Sequence, residues 1–126
     1  MYACDHTFSE RISNNDKGVF QIYHCTFSSI ISQSSNGSAI YSKTTGDSAK
    51  GSIIIYKSTF ENCKGFKGGA IYIFTSQLSR FHNITECTFN NNEAVSNGSK
   101  DGEGGAIYFE GSYCNIYGCE FNNNYA

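Results

Sequence analysis

Proline and tryptophan are absent from this chain, and leucine occurs once, as Leu78. Helical periodicity is missing as well, because no window of eleven or more residues places apolar side chains at i, i+3, i+4 and i+7. Helical repeats and leucine-rich repeats are therefore excluded. The 13 glycines, together with asparagine and serine between the apolar runs, indicate many short strands joined by tight turns.

The chain also lacks an excess of charge of either sign. Nine basic residues oppose eleven acidic ones, for a net charge of -2, and like charges form no runs. We expect no nucleic-acid partner, because phosphate binding requires a basic surface. No run of 18 apolar residues occurs, so the sequence predicts no transmembrane segment, and the first residues do not have the basic and apolar regions of a signal peptide.

Two short blocks recur along the chain. The first is Ile84-Thr-Glu-Cys-Thr-Phe89, with further copies that end at Phe8, Phe27, Phe60 and Phe121. The second is Gly68-Gly-Ala-Ile-Tyr72, with further copies at 37–41 and 104–108. The spacing between copies is unequal, which predicts a solenoid of fixed strands joined by variable loops at 28–37, 42–52, 75–83 and 94–104. Such loops are natural contact surfaces.

Alternation along the first block places its cysteine and phenylalanine on one face, whereas the isoleucine five positions before the phenylalanine has the opposite parity. A bend between them turns both side chains inward. Coils stacked in register then form an all-β fold, a parallel β-helix of about four coils. The predicted core columns are Phe8, Phe27, Phe60, Phe89 and Phe121, then Ile22, Ile55, Ile84 and Ile116, then Ile40, Ile71 and Ile107.

The end of the chain bears on its domain organisation. The sequence stops at 122–126, where the earlier repeats continue into their glycine block. We therefore expect residues 1–126 to form one parallel β-helix that is a fragment of a longer repeat array.

Gly-Gly-Ala-Ile at 68–71 and 104–107 alternates with Phe-Asn-Asn-Asn at 89–92 and 121–124. This pattern resembles the repeats of the polymorphic outer-membrane proteins of chlamydiae, and it is similar to repeats in large surface proteins of trichomonad protists. Other copies depart from it, with Ser38 in place of the second glycine and with Ile30 and Cys63 in place of the last asparagine. The resemblance implies a right-handed parallel β-helix that is displayed outside the cell and acts in adhesion.

Asparagine and cysteine each form a predicted column. Asn92 and Asn124 occupy the same place in successive repeats, and we interpret them as a ladder that closes a turn, with a ligand role as the alternative. Stacked cysteines are expected at Cys25, Cys87 and Cys119. We favour small buried thiols for this column, because parallel side chains fit the disulfide torsion poorly.

The sequence indicates neither a cofactor nor a metal. No Cys-x-x-Cys pair occurs and the three histidines are scattered, so zinc is not expected. Asp101 and Glu103 favour a solvated loop over a calcium site. Three sequons provide candidate N-glycosylation sites, at Asn36, Asn83 and Asn97.

We expect a non-catalytic domain, extracellular or at the cell surface, for adhesion or partner interaction, with a protein or a glycan as its ligand. The alternative is a structural subunit whose uncapped coils stack end to end, copy upon copy, into a rod or filament. A polysaccharide-active enzyme is disfavoured, because such enzymes gather carboxylates on one face. Here the outward column changes chemistry from coil to coil, through His24, Lys57, Glu86 and Gly118.

Overall fold

The structure is a computed structural model that describes residues 2–15, 19–32, 35–44, 52–75, 81–96, 101–111 and 113–126, without the side chains of 2–6 and 14–15. The described residues form strands joined by turns. In chain order the strands are β1 (Tyr2–Phe8), β2 (Ile12–Asn15), β3 (Val19–Ser28), β4 (Ile40–Thr44), β5 (Ser52–Tyr56), β6 (Thr59–Glu61), β7 (Lys64–Gly65), β8 (Ile71–Thr75), β9 (Phe81–Thr85), β10 (Thr88–Asn90), β11 (Glu93–Ala94), β12 (Ile107–Glu110), β13 (Tyr113–Tyr117) and β14 (Glu120–Asn122).

Every pairing between these strands is parallel and joins equivalent strands of neighbouring coils. The first coil contains β1 and β2, the second β3 and β4, the third β5 to β8, the fourth β9 to β12, and β13 and β14 begin the fifth. One sheet runs β13-β9-β5-β3-β6-β10-β14, a second runs β12-β8-β4-β2, and a third pairs β11 with β7. The predicted parallel β-helix is thereby confirmed.

Two bends shape the second to fifth coils around the phenylalanine strand. The first lies at the variable residue of the first block and has a positive φ, between 48° and 63°, at His24, Lys57, Glu86 and Gly118. It reverses the alternation, so that the isoleucine and the phenylalanine both point inward. The second bend follows the phenylalanine, at Ser29, Asn62, Asn91 and Asn123. Asparagine tolerates this left-handed conformation better than most residues.

The phenylalanine column fills the core. Neighbouring rings from Phe8 to Phe121 lie nearly parallel, with centroids 4.8 or 4.9 Å apart. The middle rings and most of the isoleucine columns are fully buried. The fifth coil differs: Ile116 is 43% and Phe121 is 47% exposed, because no described strand covers it. Ile107 is half-buried for the same reason.

Glycine permits the close turn that leads into β8. Gly68 has a φ of +73°, and a Cβ atom there would collide with the carbonyl oxygen of Ile71. A Cβ on Gly69 would collide with the carbonyl oxygen of Gly105 in the next coil. Ser38 occupies the equivalent place in the second coil, where its buried hydroxyl donates to the carbonyl oxygen of Gly69 at 2.5 Å. The glycine block is therefore a close contact between coils as well as a turn.

Candidate functional site

The outer side of β3, β5, β9 and β13, up to the first bend, carries only uncharged side chains, and we call it the uncharged face. Its inner side packs on the core through buried Ile22, Ile55 and Ile84. Several large side chains on the outer side are exposed, among them Phe81 (61%) and Tyr117 (68%). The face consists of Val19, Gln21 and Tyr23 from β3, Ser52, Ile54 and Tyr56 from β5, Phe81, Asn83 and Thr85 from β9, and Tyr113, Asn115 and Tyr117 from β13.

Strand register arranges this face in three columns along the rod. The first consists of two pairs, Val19–Ser52 and Phe81–Tyr113, and the other two are continuous, Gln21–Ile54–Asn83–Asn115 and Tyr23–Tyr56–Thr85–Tyr117. The first and third are apolar or aromatic, but each is interrupted once by a hydroxyl residue. Ser52 pairs with Val19, and Thr85 lies between Tyr56 and Tyr117.

Lys57, at the first bend of the third coil, lies beside this face, with its Nζ 5.2 Å from the centroid of the Tyr56 ring. Several charged side chains pair between the third and fourth coils. Each pair joins a lysine of the third coil to a glutamate of the fourth: Lys57–Glu86 at 3.7 Å, Lys64–Glu93 at 2.8 Å and Lys67–Glu103 at 3.2 Å. The hydrogen bond that Lys64 donates to the Glu93 carboxylate lowers the pKa of Glu93 and raises the pKa of Lys64. These glutamates are therefore engaged in holding coils together rather than gathered at one site.

A second aromatic column, on the outer side of β4, β8 and β12, presents a different surface. The rings of Tyr41, Tyr72 and Tyr108 stack at 5.3 and 5.4 Å. Arg11 lies 4.5 Å from the centroid of Tyr41, and Lys67 lies 4.9 Å from that of Tyr108. Because the rings cover one another, this column presents ring edges, hydroxyl groups and cations.

Asn92 and Asn124 lie directly above one another behind the second bend. Asn92 is fully buried, and its Nδ2 donates to the carbonyl oxygen of Phe60 at 3.0 Å and to Oδ1 of Asn124 at 2.9 Å. Its Oδ1 accepts the backbone N–H of Cys63 at 3.0 Å. In the fifth coil, Nδ2 of Asn124 donates to the carbonyl oxygen of Phe89 at 2.9 Å. These bonds are all internal to the fold, so we retain the turn-closing ladder as our interpretation.

The cysteine column is mixed in chemistry. Cys25 is disulfide-bonded, which differs from the free thiols expected for this column, whereas Cys87 and Cys119 are free. Ser58 takes the cysteine's place in the third coil and accepts the N–H of Cys25 at 3.1 Å, while the N–H of Cys87 points to Sγ of Cys119 at 3.4 Å. Burial raises the pKa of Cys87 to about 12. At neutral pH this thiol is protonated and a poor nucleophile.

His82 lies in the core, which the sequence analysis did not anticipate. It is 1% exposed, and its Nδ1 accepts the backbone N–H of Ile53 at 3.2 Å. Its Nε2 is buried with no hydrogen-bond partner. Burial lowers its pKa to about 4, so the imidazole is neutral at physiological pH. Its position after exposed Phe81, on a strand that alternates inward and outward, is the sequence signal that was available.

The sequons occupy three different settings. Asn36 is half-buried beside the turn at Gly37, and Asn83 is half-buried on the outer side of β9. Asn97 lies outside the described residues, as do 33–34, 45–51, 76–80 and 97–100 of the predicted contact loops. In the described part of the chain, no three His, Cys, Asp or Glu side chains are grouped so as to hold a metal ion. The described ranges also contain no helix long and apolar enough to cross a membrane.

Residues 86–110 match the sequence model of the Chlamydia polymorphic membrane protein repeat. The chain carries a Pmp-like repeat. The matched segment spans the fourth coil from its first bend to β12 and includes Phe89, Asn92 and the glycine block, so the resemblance seen in the sequence is confirmed. No curated protein and no solved structure matches the chain.

The geometry explains why the Pmp-like repeat has this pattern. Phe89 stacks between the rings of Phe60 and Phe121, and Asn92 bonds to both neighbouring coils. Gly104 adopts a φ of +69° at the turn before β12. The repeat residues are thus those that stack one coil on the next, and they say little about the outer surface.

Proposed function

We propose that this chain is a non-catalytic segment of a cell-surface protein and that it adheres to a partner through the uncharged face. The Pmp-like repeat supports the surface location, because the matched family is one of membrane proteins. The observation that carries the adhesive function is the exposure of Phe81, Tyr113 and Tyr117 on one face whose own residues are uncharged.

The uncharged face is preorganised for binding. Its side chains on β3, β5 and β9 stand on strands whose inner isoleucines are fully buried, so the backbone beneath them is held by the core. A partner that docks here orders few additional groups, which keeps the entropic cost of association low. Contiguous exposed apolar side chains are also typical of interaction sites.

The chemistry of the described residues supports a non-catalytic function. The described glutamates of the third-to-fourth-coil pairs are bonded to lysines, and burial raises the pKa of Cys63, Cys87 and Cys114 above the ordinary thiol value. Such thiols are unreactive at neutral pH. Glycoside cleavage would need two carboxyl groups facing each other across one site. Glu93 and Glu103 instead pair with different lysines, Lys64 and Lys67.

Adhesion can be tested with beads that carry the chain and are washed over cultured cell monolayers. The double variant Phe81→Ser with Tyr117→Ser should lose most bead retention. The matched control, Ile31→Ser with Tyr125→Ser, removes two side chains of similar exposure (59% and 57%) from another side of the rod. It should retain wild-type adhesion. Equal retention by the first variant and wild type, with both folded by circular dichroism, would refute adhesion through this face.

A separate observation favours a second function, the end-to-end assembly of copies of the chain. The fifth coil exposes Ile116 and Phe121 above an open cavity of about 430 Å³, which is also lined by Ala106, Ile107 and Asn124. A strand edge of this kind is a template for further pairing, and a head-to-tail contact would extend indefinitely. Sedimentation velocity should then show polymers that Phe121→Glu abolishes. A monomer at all concentrations would exclude this function.

A further inference from the structure

We propose that Asn83 carries an N-linked glycan whose first sugar lies against the Phe81 and Tyr113 rings and masks the uncharged face. The proposal rests on the proposed adhesive function, because it names how adhesion through that face is regulated. Its starting point is the sequence Phe81-His-Asn83-Ile-Thr85, in which a sequon follows an exposed aromatic residue on one side of β9.

The sequon at Asn83 is open in the folded chain. Asn83 and Thr85 both lie on the outer side of β9, while Ile84 between them is fully buried in the core. Among the described residues, no hydrogen bond engages the Asn83 amide. The sequon at Asn36 differs, because its hydroxyl residue, Ser38, is fully buried and hydrogen-bonded to the next coil. Of these two sequons, the one at Asn83 is therefore better placed to carry a glycan.

An open cavity of about 430 Å³ lies beside the Asn83 side chain. Phe81 is two residues from Asn83 on the same side of the strand, about 6.8 Å away. Its ring stacks on that of Tyr113 at 5.2 Å, and the two residues are 61% and 54% exposed. The lining comes from β9 and β13 and consists of Phe81, His82, Asn83, Tyr113, Cys114 and Asn115. A sugar attached to Asn83 therefore starts next to an exposed apolar surface.

The cavity matches the sugar that is joined to asparagine, an N-acetylhexosamine. Its ring C–H groups and acetyl methyl group are apolar, and they are stabilised by leaving water against Phe81 and Tyr113. Its hydroxyl groups donate and accept hydrogen bonds, as the amide of Asn115 does. Because the sugar is tethered beside the cavity, its effective concentration is high and weak contacts are sufficient to dock it.

The modification is a group transfer that the chain undergoes and does not catalyse. Nδ2 of Asn83 forms a bond to C1 of an oligosaccharide carried by a lipid pyrophosphate. The C1–O bond to the pyrophosphate breaks, and one proton leaves Nδ2 as the lipid pyrophosphate leaves C1. An oligosaccharyltransferase catalyses this step on exported chains that present Asn-x-Thr. The surface location that the repeat supports requires export.

The modification itself is tested on protein isolated from the cells that make it. Cleavage after Arg80 and Glu86 releases residues 81–86, which contain Asn83 but not Asn97. We expect mass spectrometry to find this peptide with added N-acetylhexosamine and hexose. Recovery of the peptide in its unmodified form alone would overturn the proposal, and it would leave the adhesive function in place.

Docking of the first sugar is tested on chain secreted by yeast and trimmed by an endoglycosidase to one sugar on each modified asparagine. This form should melt a few degrees higher than Asn83→Gln. Most of the difference should vanish in a Phe81→Ser background, because the sugar loses its apolar contact. Asn36→Gln removes a different sequon and should leave the difference unchanged. An effect of the Asn83 sugar that persists in full without the Phe81 ring would refute docking.

Bead adhesion separates masking from adhesion itself. Asn83→Gln and Thr85→Ala both abolish the sequon, so beads that carry either should be retained several-fold better than beads that carry the glycosylated wild type. Equal retention of all three would overturn masking, whereas adhesion would stand if Phe81→Ser with Tyr117→Ser still lost retention. If even the unglycosylated chain failed to adhere, the adhesive function would fall and masking with it.

Discussion

Asn92 offers the most direct test of what holds neighbouring coils in register. Its side chain is fully buried, accepts the backbone N–H of Cys63, and donates to the carbonyl oxygen of Phe60. The Asn92→Ala substitution removes both bonds and leaves a small cavity in place of the amide group. The backbone groups that it bonded remain buried.

The expected cost follows from these two groups. A buried polar group left without a partner costs about 1–3 kcal/mol, so Asn92→Ala should lower the free energy of unfolding by about 2–6 kcal/mol. This is a large share of the 5–15 kcal/mol that is typical of a folded domain. The loss of packing from a shorter side chain adds to it.

The chain provides a natural control for this substitution. In the third coil, Cys63 stands at the equivalent position, and its Sγ lies 3.7 Å from the carbonyl oxygen of Phe27. Asn92→Cys therefore keeps a weak donor but removes the acceptor of the Cys63 N–H. We expect its cost to be about half that of Asn92→Ala. Asn124→Ala should cost less than either, because Asn124 is half-buried and water can replace its bonds.

Urea unfolding followed by circular dichroism measures all three variants. The expected order of destabilisation is Asn92→Ala, then Asn92→Cys, then Asn124→Ala. If Asn92→Ala cost less than about 1 kcal/mol, or if Asn124→Ala cost as much, the ladder would not hold the coils together. Asn92 would then be open to the alternative ligand role.

The remaining predictions concern the core, the pH dependence, the turn and the ion pairs. Phe60→Ala should cost about 3–5 kcal/mol in urea unfolding, because it opens a gap in a fully buried column. The folded pKa of His82 is about 4, below the unfolded value near 6.5, so acidification between these values should lower stability by about 3 kcal/mol, and His82→Ile should remove this component. Gly68→Ala should cost at least about 1–2 kcal/mol by the same assay, because its φ is +73°. Lys64→Glu should lower the melting temperature, and adding Glu93→Lys should restore it at low salt.

The inner columns could be predicted from the sequence because stacked coils carry the same type of side chain at each inner position. A ring in one coil packs best against the same ring in the next, so the phenylalanine and isoleucine positions recur visibly. A bend between the isoleucine and the phenylalanine was also predicted, since only a bend turns both side chains inward, and the structure places it at the variable residue. The left-handed residues after the phenylalanine, such as Asn62 and Asn91, were not anticipated. Only one residue per coil adopts this conformation, and its type differs between coils, so no repeated motif marks it.

The outer surface was harder to predict for a physical reason. The repeat was recognised from the isoleucine onward, which left out the first residues of each strand, where Val19, Ser52 and Phe81 lie. These residues differ from coil to coil, so they do not look like a repeat. The change from the positive charge of Lys57 to the negative charge of Glu86 was interpreted as evidence against a catalytic site. It is also what pairs these two residues in the structure.

The constraints on inner and outer positions differ. Inner positions are constrained by the neighbouring coil, and several outer positions are constrained by ion pairs between coils. Phe81 is 61% exposed although its ring stacks on Tyr113 of the next coil. Tyr117 is 68% exposed on the fifth coil, which no described strand covers. Contiguous exposed side chains of this size are typical of interaction sites, and they support the partner that we propose for this face.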